Sequence, residues 1–383
     1  MGRGMRLLSL LALIVVGASG EEPAALPERV RLGGGSLGYV PGRGYALPPG
    51  IEAAEKPLAR KGTLEKSVFF FVDVDGNGRF DDLGVDGWAL AKMPFLLPLE
   101  PTTVIGASSY TWRVEADGSA VSFRREPLPI GEGQRKVLIQ FNQWRMMNGL
   151  PAVTIDQDLS AACMKHCAYM ERHGMTHEQE PGKEGATPEG AEAGRRSCLG
   201  EEGPVESVHL FYATLYHRLP LIHPGTKAIG VGASARYAAV DGLTRRDGRA
   251  WTWPVIVPAP NSFAHPTHFA HEAPDPLPQG AGPAGFPITL TFDAGTVTDA
   301  RAELRPGGER GAELPIYVSS PEVPANPKRP DNRSTICVIP RAPLAPLATY
   351  WVRVRYRLDG GEREHVWRFN TGRAGPRSVL PMR

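Results

Sequence analysis

Asp73, Asp75, Asn77 and Asp81 place oxygen-bearing side chains at spaced positions of the run DVDGNGRFDD, with Gly78 at the sixth. That is how a loop wraps a hard cation such as calcium. The twelfth position, where a bidentate acid closes such loops, is Gly84, so Asp82 or Asp86 would have to substitute. The alternative is a tight turn between strands held by side-chain-to-backbone hydrogen bonds. His265, His268 and His271 recur every third residue in a Pro-rich stretch, on one side of a polyproline II segment, and read either as a metal-binding row or as a surface linker. His166 falls on an apolar stripe, as a hydrogen-bonded core residue or as a ligand. Cys163 and Cys167 stand one helical turn apart, a spacing that strains a disulfide, and either could instead reach Cys198. Cys337 is left over, so at least one buried free thiol is expected. The chain has no nucleophile elbow, no Gly-rich phosphate loop after a strand, no HExxH helix and no zinc-finger cysteine spacing, which lowers the case for an ordinary hydrolase, kinase or oxidoreductase.

The elements that would carry these residues follow from periodicity. Val137, Leu138, Phe141 and Trp144 recur at three- and four-residue spacing on one helix face, which Asn148-Gly149 ends. A second helix is capped by Asp156 or Asp158, buries Leu159, Ala162, Cys163, His166 and Met170, and stops at Gly174. Pro204 opens a third with Val205, Val208, Tyr212 and Leu215 as its stripe. A polar loop over 174–203 separates the second and third, and strands are expected at Ile229 and from Trp251 to Val257. Upstream, short strands and turns predict a small β-module. Downstream, Tyr350, Val352, Val354 and Tyr356 alternate with Trp351, Arg353, Arg355 and Arg357, and Trp367 and Phe369 return after Asp359-Gly360-Gly361; the region from Phe286 predicts a β-sandwich of immunoglobulin-like type.

The order Asn142, Arg145, Gly149-Leu150-Pro151, then Asp156, Leu159 and Cys163, His177-Glu178, Ala193-Gly194, His217-Arg218 and Ile229-Gly-Val-Gly resembles the CAP superfamily, also called SCP/PR-1. The resemblance implies a secreted α+β domain, an α-β-α sandwich. It also implies a cleft in which two histidines and two acids bind a divalent metal in some members. His177 and His217 match the histidine positions. The acids depart from the pattern: Gly194-Arg195-Arg196 stands where a Gly-Glu-Asn element is expected, putting the cation Arg195 in the glutamate's place, and Thr214 occupies the position on the third helix. Glu178, Glu189 or Glu192 would have to compensate from the loop. Two imidazoles without a carboxylate are a poor zinc site, since a catalytic one wants three protein ligands and a water. His217-Arg218 has the alternative role of anchoring the end of the third helix.

The resulting organisation is a signal peptide over 1–20, a leader and β-module over 21–132, the CAP domain over 133–262, a Pro-rich linker over 263–285, the Ig-like sandwich over 286–372 and a tail over 373–383. The signal reading rests on Arg3 and Arg6 before an apolar run and on Ala18-Ser19-Gly20 as a cleavage site. Its removal leaves 41 basic residues (43 less two) against 41 acidic ones, with no electrostatic footprint for nucleic acid or an anionic membrane. No later stretch is long enough to span a bilayer as a helix. The expected function is that of a secreted or envelope, non-catalytic module binding a lipid, glycan or peptide, with His177, His217, Glu178, Glu189, Glu192, Arg195 and Arg218 lining its cleft. A metal-dependent hydrolase using His177 and His217 with zinc is the alternative.

Overall fold

The computed structural model describes residues 29–35, 42–43, 45–64, 67–91, 93–248, 251–327 and 334–373. The signal segment expected at 1–20 and the tail from 374 lie outside them. The chain divides into two compact units, Met1–Ile130 and Gly131–Arg383.

In the first unit the described strands are β1 (Arg29–Arg31), β2 (Gly33–Gly34), β3 (Gly42–Arg43), β4 (Leu58–Leu64), β5 (Ser67–Asp73), β6 (Gly87–Leu90), β7 (Phe95–Pro98), β8 (Thr102–Ile105), β9 (Ser108–Val114) and β10 (Ala120–Pro127). They form a six-stranded sheet ordered β2-β4-β5-β6-β7-β3 and a four-stranded sheet ordered β1-β10-β9-β8. The apolar run VFFFV builds β5, and Phe71 and Trp88 meet Trp112 of β9 edge-on, at 5.4 and 4.9 Å between centroids. Alternation along β9 (Tyr110, Trp112 and Val114 buried) turns one face inward.

The second unit opens with α1 (Glu132–Met147), β11 (Thr154–Ile155), α2 (Gln157–His173), α3 (Pro188–Arg196), β12 (Ser197–Gly200), α4 (Pro204–Tyr212), α5 (Arg218–Leu221), β13 (Thr226–Ala233) and β14 (Ala238–Arg246). The sheet order is β11-β13-β14-β12. Helices α2 and α3 pack together over β13 and β14, whereas α4 packs on α1 and, with α5, on the sheet, so helices form two layers about it. The predicted apolar stripe of α1 is buried at every position, and Asp156 caps α2 by accepting from Leu159 N at 3.0 Å.

The polar stretch expected as a loop over 174–203 contains α3 and β12. Thr187 caps α3, accepting from Gly190 N at 3.0 Å, and Pro188 takes its first turn. The four cysteines are buried and free. Cys163 shares a cluster with Cys167, Leu199 and Ala239, while Cys198, adjacent to Leu199 on β12, donates its thiol to His217 O on the α5 side. Neighbours on a strand point to opposite faces, which removes the expected reach from Cys163 or Cys167 to Cys198.

The remaining strands are β15 (Val255–Val257), β16 (Ile288–Thr291), β17 (Val297–Pro306), β18 (Ile316–Ser319), β19 (Thr335–Pro340), β20 (Thr349–Leu358) and β21 (Gly361–Asn370). They make a four-stranded sheet, β15-β16-β19-β18, and a three-stranded sheet, β17-β20-β21, all antiparallel. Val255–Val257, expected to extend the sheet of Ile229, instead pairs with β16. The stretch expected as a surface linker is built into the core: His265, Phe269, Glu272 and Leu277 are all buried. His268 lies beside Thr267 and His271 is exposed, so the three histidines do not converge.

Candidate functional site

The motif residues of α1 are tied to backbone. Asn142 holds both polar groups of Val153, accepting from its N–H and donating to its carbonyl at 2.8 Å each. Arg145 is 1% exposed and donates to the carbonyls of Pro151, Leu221 and His223 at 2.7, 2.8 and 3.0 Å. These bonds stitch the turn after α1 to the chain leading into β13. Gly230 and Gly232 do the same work by lacking side chains: a Cβ at Gly232 would stand 2.6 Å from Cys163 O, and one at Gly230 would stand 2.6 Å from Leu159 Cβ. Only glycine lets α2 lie this close to β13.

His166 is a core residue. Its Nε2 donates to Thr176 O at 2.8 Å, its Nδ1 accepts from Gln179 Nε2 at 3.1 Å, and burial holds its pKa below the usual value. Gly194 packs against this ring, where a Cβ would meet Nδ1 at 2.6 Å. His177 is exposed and donates from Nδ1 to Gly194 O at 2.8 Å, on the α2–α3 layer. Arg195 is half-exposed and paired with Glu192 (2.6 Å) and Glu178 (3.8 Å), and Arg196 also pairs with Glu192. Glu189 is turned elsewhere, to Lys165 at 3.2 Å. Exposed pairs of this kind are screened by solvent and position little.

His217 belongs to the other layer. Its ring stacks on Phe211 of α4, centroids 5.2 Å apart, and its Nδ1 donates to Glu272 Oε2 at 2.9 Å. Among the described residues no hydrogen bond, ion pair or ring contact joins His177 to His217. Glu272, on the presumed linker, is the carboxylate that sequence reasoning missed. A lone acid in a Pro-rich stretch carries no periodicity, and 55 residues separate it from its partner. Arg218, expected to line the cleft, is fully buried instead. It donates to Tyr212 O at 2.7 Å and Pro287 O at 2.8 Å and lies over the Phe286 ring at 4.4 Å. Burial lowers its pKa to about 10, so it remains charged at neutral pH. Thr214 is buried and spends its hydroxyl on Phe211 O.

A second candidate centre lies in the first unit. Asp73, Asp75 and Asp86 bring one carboxylate oxygen each within 4.8 Å of one another, and these are the residues that could hold a hard cation. Asp86 takes the place left open by Gly84; Asn77 bonds to Asp75 and Asp82, and Asp81 pairs with Arg79. The turn reading holds as well. Asp73 accepts from Gly76 N and Gly78 N, at 2.8 and 2.9 Å, and Asp86 from Val74 N and Asp82 N, at 3.1 and 2.9 Å. Burial raises both pKa values, that of Asp86 to about 7.

Residues 138–241 match the family model for CAP, the cysteine-rich secretory protein family. Two solved structures are similar. One is an extracellular protein containing an SCP domain from Bacillus anthracis str. Ames, at 11% identity and a TM-score of 0.24, covering 52% of this chain and 87% of that one. The other is a cysteine-rich secretory protein from Staphylococcus aureus subsp. aureus Mu50, at 9% identity and a TM-score of 0.19, covering 52% and 84%. No curated protein matches. Among the described residues no helix is long and apolar enough to cross a membrane.

Proposed function

We propose that the protein is a secreted or envelope CAP-domain protein acting as a non-catalytic extracellular ligand-binding module, its CAP domain joined to an immunoglobulin-like β-sandwich. The observation that carries this reading is the placement of His177 on the α2–α3 layer and of His217 against α4. A zinc site wants three converging protein ligands. Here the two histidines sit on different helix layers, and Arg195 fills the glutamate position among acids that neutralise it. Asn142, Arg145, Gly194, Gly230 and Gly232 serve packing and hydrogen bonding, which supports a binding role for the domain. An open cleft is bounded by Asp275, Leu277, Pro278, Gln279 and Asn326.

Isothermal titration of the exported protein with zinc tests this directly. No one-site isotherm that depends on His177 and His217 is expected. A stoichiometric site that disappears in His177→Ala/His217→Ala would overturn the reading in favour of a metal-dependent hydrolase.

A further inference from the structure

The turn between α4 and α5 surrounds a buried carboxylate that neither helix supplies. Leu215 N donates to Glu272 Oε1 at 2.7 Å, Tyr216 N reaches Oε1 and Oε2 at 3.2 and 3.0 Å, and His217 N reaches Oε2 at 3.1 Å. The His217 ring adds its Nδ1 at 2.9 Å, and the Glu272 side chain has no solvent exposure. Successive backbone N–H groups converging on one point make an anion-binding concavity, and such concavities capture carboxylates. The turn owes its shape to contacts that do not involve Glu272: Thr214 Oγ1 donates to Phe211 O, Cys198 Sγ to His217 O, and Arg218 Nε to Tyr212 O. The turn thus has supports that do not come from Glu272. Glu272 comes on a segment without helix or strand from 258 to 287, held near the turn by Ala270 N donating to Ala213 O and by buried Phe269.

We propose that residues 215–217 with the His217 ring form a carboxylate-recognition site, that Glu272 fills it in cis, and that a ligand carboxylate takes the same seat when the strap carrying Glu272 lifts. This rests on the ligand-binding reading and names the ligand's chemical class. In the closed chain the strap acts as its own inhibitor, because a tethered carboxylate competes at a high effective concentration.

Glu272→Ala in the full chain empties the seat, and its thermal unfolding is followed in acetate, with acetamide as the neutral isostere and chloride as the ionic-strength control. Acetate is expected to raise the unfolding temperature saturably, more than acetamide or chloride, and more in Glu272→Ala than in the unsubstituted protein. Adding His217→Ala weakens the acetate effect about tenfold, the worth of one hydrogen bond to a charged group. A short peptide with a free C-terminus, compared with its C-terminal amide, separates a peptide source of the carboxylate from a small organic acid. Equal effects of acetate and acetamide overturn the proposal. If Glu272→Ala does not fold, Glu272→Gln is read by hydrogen exchange at residues 215–217: restoration of protection by acetate supports the site, and no restoration overturns it. A histidine-dependent zinc isotherm would instead overturn the non-catalytic reading and leave this test standing.

Discussion

Acidification should destabilise the second unit, and buried His265 should be a main cause. His265 is 1% exposed and sits in a closed hydrogen-bond chain. Ser262 Oγ donates to Ala259 O at 2.5 Å and so accepts from His265 Nε2 at 2.6 Å, while His265 Nδ1 accepts from Tyr212 OH at 3.0 Å. Tyr212 in turn accepts from Asn148 Nδ2 at 2.8 Å. Burial opposes the cation first and the nearby Arg218 charge second, and a proton added at Nδ1 would also leave the tyrosine O–H facing another donor. The pKa is accordingly driven down to about 3 from an ordinary 6.5. Between those values the unfolded chain binds the proton and the native one does not, so stability falls as pH drops through 6.5 and goes on falling towards 3. At about pH 4.5 the loss from this residue is roughly 2.7 kcal/mol, a large share of the 5–15 kcal/mol typical of a domain. Urea unfolding at about pH 7.5 and 4.5, with hydrogen exchange to separate the second unit from the first, measures it. The same pair of measurements on His265→Gln should show a pH dependence smaller by about that amount. Equal losses in the two proteins would refute the assignment.

Two other outcomes are expected. Gly232→Ala should cost about 1–3 kcal/mol or prevent folding, because its methyl group would press on the backbone of Cys163 and Met164, and chemical denaturation reads the loss. The first unit should respond to pH in the opposite sense to the second. The Asp86 pKa, raised to about 7, makes the native state hold a proton that the unfolded chain releases above 3.8, so stability drops as pH rises through that window. If Asp73, Asp75 and Asp86 hold calcium weakly, added calcium should reverse that loss. At a dissociation constant of about 0.1 mM, 10 mM calcium adds roughly 2.7 kcal/mol, absent in Asp75→Ala; an unfolding temperature insensitive to calcium and chelator would refute it.

The helix faces were legible because burial against a layer enforces a repeat near 3.6 residues, and Val137, Leu138, Phe141 and Trp144 satisfy it in a single turn-by-turn run. The calcium-like loop was legible as a turn with converging acids and with Asp82 or Asp86 as the substitute for Gly84; what spacing left open was which of the two, and Asp86, just before β6, is the one that converges. Helix α3 was missed because its only apolar side chains are alanines; Thr187-Pro188 was the available signal. Strand β15 was visible as a strand but not by address, since an apolar triplet does not say which edge it will pair with. The roles of Glu272 and His265 are tertiary and left no local mark.

What the motifs report is therefore the scaffold. Asn142 and Arg145 satisfy backbone groups where the chain turns between layers, Gly230 and Gly232 admit α2 to the sheet, and Gly194 admits the His166 ring. Each solves a problem set by stacking helices on both faces of four strands, and none depends on what the domain binds. Chemistry must then come from residues whose partners are chosen outside that frame. His217 is a motif residue whose ring is turned by a group from beyond the matched region, and that side chain is fully buried. A buried carboxylate is costly unless each oxygen is engaged, and here both are, by three backbone N–H groups and an imidazole. The segment after β14 thus fixes the tautomer and the availability of His217: with Nδ1–H committed to Glu272, only Nε2 is left to face a ligand.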